Sequence, residues 1–462
     1  MSRVLISTLG VTDYVECNYC FNEVNGSKEI FNSIRFIQEA VFKHFCKNWS
    51  TDNGDRLYIL CTDEAKRKNW VDNGHKSECE GLRTRLQKAF MENEYRGLGY
   101  DAEKCFVEIQ EGNSEEKIWS IFETIYSLIR DDDEIYFDIT HGFRSLPMLV
   151  LVVLQYAREL KKNISIKAIS YGAIEALGSV TKVKEMPIQD RNAPVFDLTN
   201  FVRLMDWTDA AGDFVDYGQT TKIGRMLMDE IKPILKKTRG QDIEALSSRK
   251  VSEAIRDIAE NIRKNDLYQI YRFSDLNKRL EEYSSQTAKY AKPFKPVVDK
   301  IKNKIAGFDE NSLGNVFHAV RWCVNHGMYQ NAYSILLEGC ISIALDAVGE
   351  QWKPDGVNRK LIKKMRKIPT AVAGKRIGSI KKIEGDASEF PEICEKIDNI
   401  LTDETALVFC NLNDYRNSYM HCGTGNRIPS NLLKEIYGFV DKMEKWFNDL
   451  EENRVEKESI IN

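Results

Sequence analysis

A chain of 462 residues is too long for one ordinary hydrophobic core and calls for two or three domains. Hydrophobic residues at 42% and charged residues at 29% suit a soluble globular chain, and no apolar run of about 18 residues argues for a membrane span. The formal net charge of −4 excludes a protein that coats nucleic acid nonspecifically, yet leaves room for a local basic groove.

The opening MSRVLISTLG enters a strand at once, with Val4–Ser7 as its apolar run. It lacks the small-residue cleavage site of a signal peptide, so a cytoplasmic location is expected. Further strand-like runs follow at Leu57–Cys61, Cys105–Ile109, Glu134–Ile139 and Ile166–Tyr171. Between them, Glu115–Arg130 reads as a helix with Ile118, Trp119, Phe122, Ile125 and Ile129 on one face. A second helix runs from Ser145 to Leu160, apolar on all sides, as expected of a helix packed deep against a sheet. This alternation predicts an α/β Rossmann-like domain with a mostly parallel sheet and helices on both faces. The usual G-x-G-x-x-G loop is missing after the first strand, where the sequence reads STLGVTDY.

After Leu198 the texture changes to long amphipathic patterns such as Val251–Ile262 and Asn315–Val348, so an all-α region is predicted. Pro293 and Pro296 mark a boundary before the last helical unit, and the polar residues from Glu451 onward are expected to fray. The division is 1–198 as a sensing domain, 199–307 as a helical linker packed against the last domain, and 308–462 as that last domain. The eleven cysteines include Cys61, Cys323 and Cys410 in apolar runs, which read as reduced core positions. Cys17 and Cys20 form a lone CxxC with no second ligand pair, so no metal site is expected.

The densest motif of the first half is DITHGFRS, Asp138–Ser145, which follows a strand and opens a helix. It therefore sits at the carboxyl edge of a sheet, where open α/β folds bind ligands. Thr140, His141, Gly142, Phe143 and Arg144 occupy the turn; Gly142 permits close backbone approach, and Arg144 adds a fixed cation at a helix N-terminus, which suits a phosphate. Ser7, Thr8, Leu9 and Gly10 at the end of the first strand, and Thr62 with Asp63 after another, could line the same rim. The competing reading is an ordinary strand–turn–helix connection.

In the second half, Val408, Leu412, Tyr415 and Tyr419 form an apolar helical face, with Arg416, Asn417 and His421 beside it. Gly423 and Gly425 predict a helix end just after His421. A histidine in the last turn is favoured in its protonated form by the helix dipole, and an arginine could neutralise a phosphorane-like transition state. RNA cleavage by its own 2′-hydroxyl needs positioning, proton transfer and charge stabilisation, and no metal in principle. Residues five apart on a regular helix lie about 140° apart, so Arg416 and His421 converge only if the helix ends early or two copies meet across a dimer axis. Arg321 and His326 repeat the same spacing among core-like neighbours and read as structural. From Lys353 to Lys382, eleven Lys and Arg residues face the single acid Asp355, a block that reads as an RNA-backbone contact or as a solvated basic loop.

Taken in order, VLISTLG, DITHGFRSLP, IKAISYGAIE, RWCVNHGMYQNAYSILLEG and NDYRNSYMHCG make the whole chain resemble the CRISPR-associated ribonucleases of type III systems, which join a CARF domain to a HEPN domain. The resemblance implies a homodimer whose CARF domains bind a cyclic oligoadenylate, the tetra-adenylate ring being commonest in similar members while ring size stays open. It implies Asp138, Thr140, His141, Gly142, Arg144 and Ser145, with Ser7 and Thr8, as the ligand loop. It implies Arg416 and His421, with Asn417, as a metal-independent cleavage site for single-stranded RNA with no catalytic cofactor. Two rivals remain: a ligand-controlled nucleic-acid-binding regulator without catalysis, and a metal-dependent DNase, which would need a carboxylate cluster near a lysine.

Overall fold

Eight short strands build one sheet from the first half of the chain in the computed structural model, which describes residues 1–22, 28–99, 101–273, 299–300, 303–353, 358–421 and 432–461. The strands are β1 (Ser2–Leu9), β2 (Cys17–Asn22), β3 (Lys28–Ile34), β4 (Arg56–Cys61), β5 (Phe106–Glu108), β6 (Asp133–Asp138), β7 (Ser165–Gly172) and β8 (Asn192–Asp197), in the order β3-β2-β8-β7-β6-β1-β4-β5. From β7 to β5 the pairs are parallel, while β8 runs antiparallel to β7 and β3 antiparallel to β2. Side chains alternate across the sheet as the period of two requires. Leu5, Leu9, Leu57 and Ile59 pack on one face with Phe42 and Leu86. Val4, Ile6, Leu60, Ile135 and Phe137 pack on the other with Ile121, Ile125, Val150 and Leu154.

The five strands expected from sequence are all present, and β2, β3 and β8 were not expected. Each of the three hides its signal. Asn18 interrupts β2 and is satisfied there by Ile188 O, the Asn192 side chain and the Ser33 N–H. β3 is mostly exposed and carries Ser33 at φ 55°. Pro194 lies within β8, where a proline ordinarily argues against an interior strand.

Two helix expectations need correction. The Leu146–Leu160 helix is not enclosed: Leu146, Val150, Val153, Leu154 and Ala157 are buried, whereas Met148 is 70% exposed and Val152, Tyr156 and Leu160 are exposed with it. In the neighbouring Glu115–Leu128 helix the buried residues are Ile121 and Ile125, and Trp119 is 57% exposed because it lies one position, about 100°, from Ile118.

Contact clustering divides the chain into two units, Met1–Leu204 and Met205–Asn462, and every described element of the second beyond Met205 is helical. One core joins Trp207, Phe214 and Leu227 to Trp322, Tyr333, Phe409 and Val440. The pattern read as one segment, Asn315–Val348, is two helices, Asn315–Asn325 and Tyr329–Ala347, broken where Gly327 adopts φ 70°. The tail expected to fray instead continues the helix Leu432–Ile461, since EENRVEKES holds no helix breaker and Arg454 pairs with Glu451 and Asp346. Pro293, Pro296, Asp355, Gly423 and Gly425 lie outside the described residues.

Candidate functional site

β1 has β4 on one side and β6 on the other, so the connections part at its carboxyl end, the switch point at which open α/β sheets take ligands. Asp138, at the end of β6, is fully buried there and accepts hydrogen bonds from Ser7 Oγ at 2.5 Å and Thr140 N at 3.1 Å, and from the Thr140 hydroxyl. Thr140 Oγ1 accepts in turn from the Gly172 N–H at 2.8 Å. Burial pushes the Asp138 carboxyl above its ordinary pKa, against these bonds. Ser7, Asp138 and Thr140 thus form a hydrogen-bonded cluster tying β1, β6 and β7 together.

Beside that cluster lies a cavity of about 240 Å³ whose lining does not include Ser7, Asp138 or Thr140. Of the residues singled out from sequence, Thr8, Leu9, Gly10, Thr62, His141, Gly142 and Phe143 line it. Arg144 is exposed and is not among its lining, and Ser145 stands at the N-cap of the following helix. The turn therefore does not aim its arginine into the cavity as a phosphate cradle would. The turn does need its glycine: Gly142 takes φ +130°, and an added Cβ there would lie 2.5 Å from Leu146 Cδ2. His141 meets Tyr14 edge-on at 4.4 Å, and burial pushes its pKa down to about 4, so it enters the site as a neutral ring.

Sequence reasoning missed what holds the rim. Tyr14 Oη accepts from the Gly10 N–H at 2.8 Å; Gln38 Nε2 donates to Thr8 O at 2.7 Å; Asn69 Nδ2 donates to Gly10 O and Thr12 O, both at 2.9 Å. Nothing in the local sequence marks Gln38 or Asn69, because they act on a loop tens of residues away. The clamp leaves three oxygens over: Thr8 Oγ1, Gln38 Oε1 and Asn69 Oδ1 are buried with no hydrogen-bond partner among the described residues, and of the three residues Thr8 is the one that lines the cavity, where the Thr62 hydroxyl is engaged by the Ala65 N–H at 3.3 Å. Glu64 and Glu111 also line the mouth, and Glu64 sits 2.5 Å from Lys68 Nζ. A cavity of hydroxyl, neutral imidazole and carboxylate groups suits the hydroxyls and amines of a polar ligand.

In the second unit, a capping box of Thr402 and Thr405 starts the helix Asp403–Met420, which buries Val408 and Leu412 and packs Tyr415 and Tyr419 against the core. Arg416 Nη2 lies 3.9 Å from Glu338 Oε1, while Arg366 Nη2 holds the other Glu338 oxygen at 2.6 Å. His421 closes the helix as its exposed C-cap, its N–H donating to Asn417 O at 2.9 Å. The helix stays regular up to Met420, so within one chain Arg416 and His421 point from different faces, and an early helix end does not bring them together.

Arg321 and His326 are occupied elsewhere. Arg321 makes a two-pronged pair with Glu444 at 2.9 and 2.6 Å. His326 Nδ1–H donates to Trp322 O at 2.7 Å, which leaves Nε2 to accept from Lys304 at 2.9 Å, and burial lowers the pKa of both His326 and Lys304. The basic stretch is likewise less free than its sequence reads. Lys364 pairs with Glu389, Arg366 with Glu338, Lys367 with Asp386, and Arg376 with Asp398 and Asp403. Cys17 and Cys20 lie on β2 three residues apart, which sends them to opposite faces. Among the described residues no group of three or more His, Cys, Asp or Glu side chains is assembled to hold a metal ion, and no helix is long and apolar enough to cross a membrane.

Residues 4–175 match the family model described as the CARF domain of the CRISPR system endoribonuclease Csx1. Residues 203–310 match the second domain of CRISPR-associated protein MJ1674. That protein, from Methanocaldococcus jannaschii, is 26% identical over 368 residues, covering 73% of this chain and 53% of its own length, so the chain spans about half of that relative. A solved structure of Enterococcus italicus Csm6 bound to cyclic hexa-2′-fluoro-hexa-dAMP aligns over 97% of this chain and 94% of its own at 11% identity and a TM-score of 0.44, a likeness that carries no functional information. Residues 4–175, built around the β1–β6 switch point, are thus a CARF domain, and the region that follows is similar to the second domain of a CRISPR-associated protein.

Proposed function

We propose that this chain is a cyclic-oligoadenylate-activated, metal-independent endoribonuclease of type III CRISPR antiviral defence, acting on single-stranded RNA. The observation that carries the sensing half is the buried Thr8 hydroxyl, without a partner among the described residues, lining a cavity at the switch point of a CARF domain. An unmet buried hydroxyl costs stability, and a ligand that reaches it from the cavity removes that cost. The rim residues Thr8, Gly10, His141, Gly142 and Phe143 contact the ring, Ser7, Asp138 and Thr140 hold the rim in register, and Arg144 meets a phosphate from outside the cavity. A ring-shaped ligand suits a pair of such cavities in a homodimer. The exposed apolar face of Trp119, Met148, Val152 and Tyr156 is a surface that a monomer rarely leaves bare.

The cutting half is a HEPN-like helical domain in which Arg416 of one protomer and His421 of its partner converge across the dimer axis. The substrate 2′-oxygen attacks its own phosphorus and the 5′-oxygen leaves. His421 moves the proton between them, Arg416 neutralises the charge that develops on phosphorus, and Asn417 supports His421 through its backbone carbonyl. The product is a 2′,3′-cyclic phosphate. Ring binding would bias the relation of the two CARF domains, with the helices of residues 199–307 passing the bias to the cleft. The test is incubation with cyclic oligoadenylates of different sizes followed by cleavage of a labelled single-stranded RNA. Ring-dependent binding of that RNA without cleavage would favour a non-catalytic regulator instead.

A further inference from the structure

The helices Ile368–Arg376 and Pro391–Ile400, with the connection between them, enclose a cavity of about 640 Å³ in the second unit. Its floor is apolar, from Val372, Ile383 and Cys394. Its rim is cationic: Lys375, Lys381 and Lys382 line it, are exposed, and form no ion pair among the described residues. They differ in this from Lys364, Lys367 and Arg376, whose charges are answered by acids. Of the carboxylates in the lining, Asp398 is taken by Arg376, and Glu395 is the one left against three ammonium groups. No aromatic ring among the described residues is in the lining to stack a base, so the binding offered is that of an aliphatic floor for the apolar face of a base and of long-stemmed cations for its phosphodiester.

We propose that this cavity is a subsite for the single-stranded RNA itself, holding a nucleotide remote from the cleavage residues; this rests on the ribonuclease reading above. Arg376 pins the cavity wall to Asp403, at the start of the 18-residue helix that His421 closes at its far end. At 1.5 Å per residue the two ends lie about 27 Å apart, roughly eight nucleotides of stacked strand. The subsite therefore engages long RNAs, and oligomers too short to span the distance gain nothing from it.

The test uses the full-length His421→Ala protein with cyclic tetra-adenylate present, so that bound RNA is not cut. Its affinity for labelled RNAs of about four and about twenty nucleotides is compared with that of the same protein carrying Lys375→Glu, Lys381→Glu and Lys382→Glu, over a salt series. Three lost phosphate contacts flatten the salt slope for the long RNA by about 2 and weaken its binding by roughly fifty-fold at 0.15 M salt relative to 1 M. The short RNA is unaffected, as is the long RNA when Lys360→Glu and Lys363→Glu are made instead. Parent-like affinity and slope in the triple variant, equal loss for both RNA lengths, or tight binding of free AMP abolished by the same variant would each overturn the subsite. If the protein with His421 intact binds long RNA but never cuts it, the ribonuclease reading falls, and a length-dependent loss in the triple variant still upholds the subsite.

Discussion

Replacing Thr8 with Val removes one hydroxyl from the sensing cavity and leaves the shape of the side chain in place. Thr8 is 2% exposed and its Oγ1 has no hydrogen-bond partner among the described residues, so the ligand-free protein bears the cost of a buried, unmet polar group. That cost is about 1–3 kcal/mol, and its removal raises the melting temperature by roughly 2–4 °C for each kcal/mol in a unit of about 200 residues. Ring binding moves the other way. A hydrogen bond from this hydroxyl to a phosphate oxygen contributes about 1.5–3 kcal/mol, so affinity falls by about one to two decades. Calorimetric melting without ligand and titration with cyclic tetra-adenylate measure the two effects on the same preparation. Opposite signs mark a residue kept for binding at the expense of stability. A Thr8→Val protein that melts lower and binds the ring as the parent does would refute the reasoning.

Four further outcomes are expected. His421→Ala and Arg416→Ala remove RNA cleavage without changing ring affinity, whereas His326→Ala keeps the activity of its folded fraction and lowers stability by about 1–3 kcal/mol, because it removes the hydrogen bonds of the ring to Lys304 Nζ and Trp322 O; an active His421→Ala enzyme would show that the wrong pair had been chosen. Cleavage survives EDTA, and an RNA with a 2′-deoxy sugar at the scissile nucleotide resists it; cutting of that RNA would point to water or metal-bound hydroxide as the nucleophile. Arg144→Ala shifts the activation curve to higher ring concentration by about one to two decades while keeping its plateau, and a curve coincident with the parent's would remove Arg144 from the ligand contacts. His141, with a folded pKa lowered to about 4, must take up a proton on unfolding between that value and its unfolded pKa near 6.5. Its stabilising contribution is complete above pH 6.5 and lost as pH falls toward 4, about 3 kcal/mol in all, so thermal stability declines less over that window in His141→Gln than in the parent.

Much of the frame was legible along the chain. Short apolar runs of β-branched and aromatic residues report two-faced burial, and they located β1, β4, β5, β6 and β7 without any knowledge of their neighbours. The block DITHGFRS, lying between a strand pattern and a helix pattern, was enough to put the candidate ligand loop at a sheet edge, and the helical texture after Leu198 was equally plain. β8 was hidden by Pro194 and β2 by Asn18, both of which are tolerated because partners distant in sequence satisfy the backbone and side chain around them.

Within the candidate sites, local pattern determined which residues share a turn and tertiary structure decided what each one faces. Asp138 and Ser7, 131 positions apart, turned out to bond each other outside the cavity lining, where Arg144 stands as well. The basic stretch was read as one block, yet acids from Glu338 to Asp403 claim Lys364, Arg366, Lys367 and Arg376 and leave Lys375, Lys381 and Lys382 around a cavity. Periodicity is a property of neighbours along the chain, so it can be read from residue types alone. The pairing of a charge, or the orphaning of a hydroxyl such as that of Thr8, depends on atoms that the fold brings from elsewhere within hydrogen-bonding distance, and short-range spacing carries no trace of them.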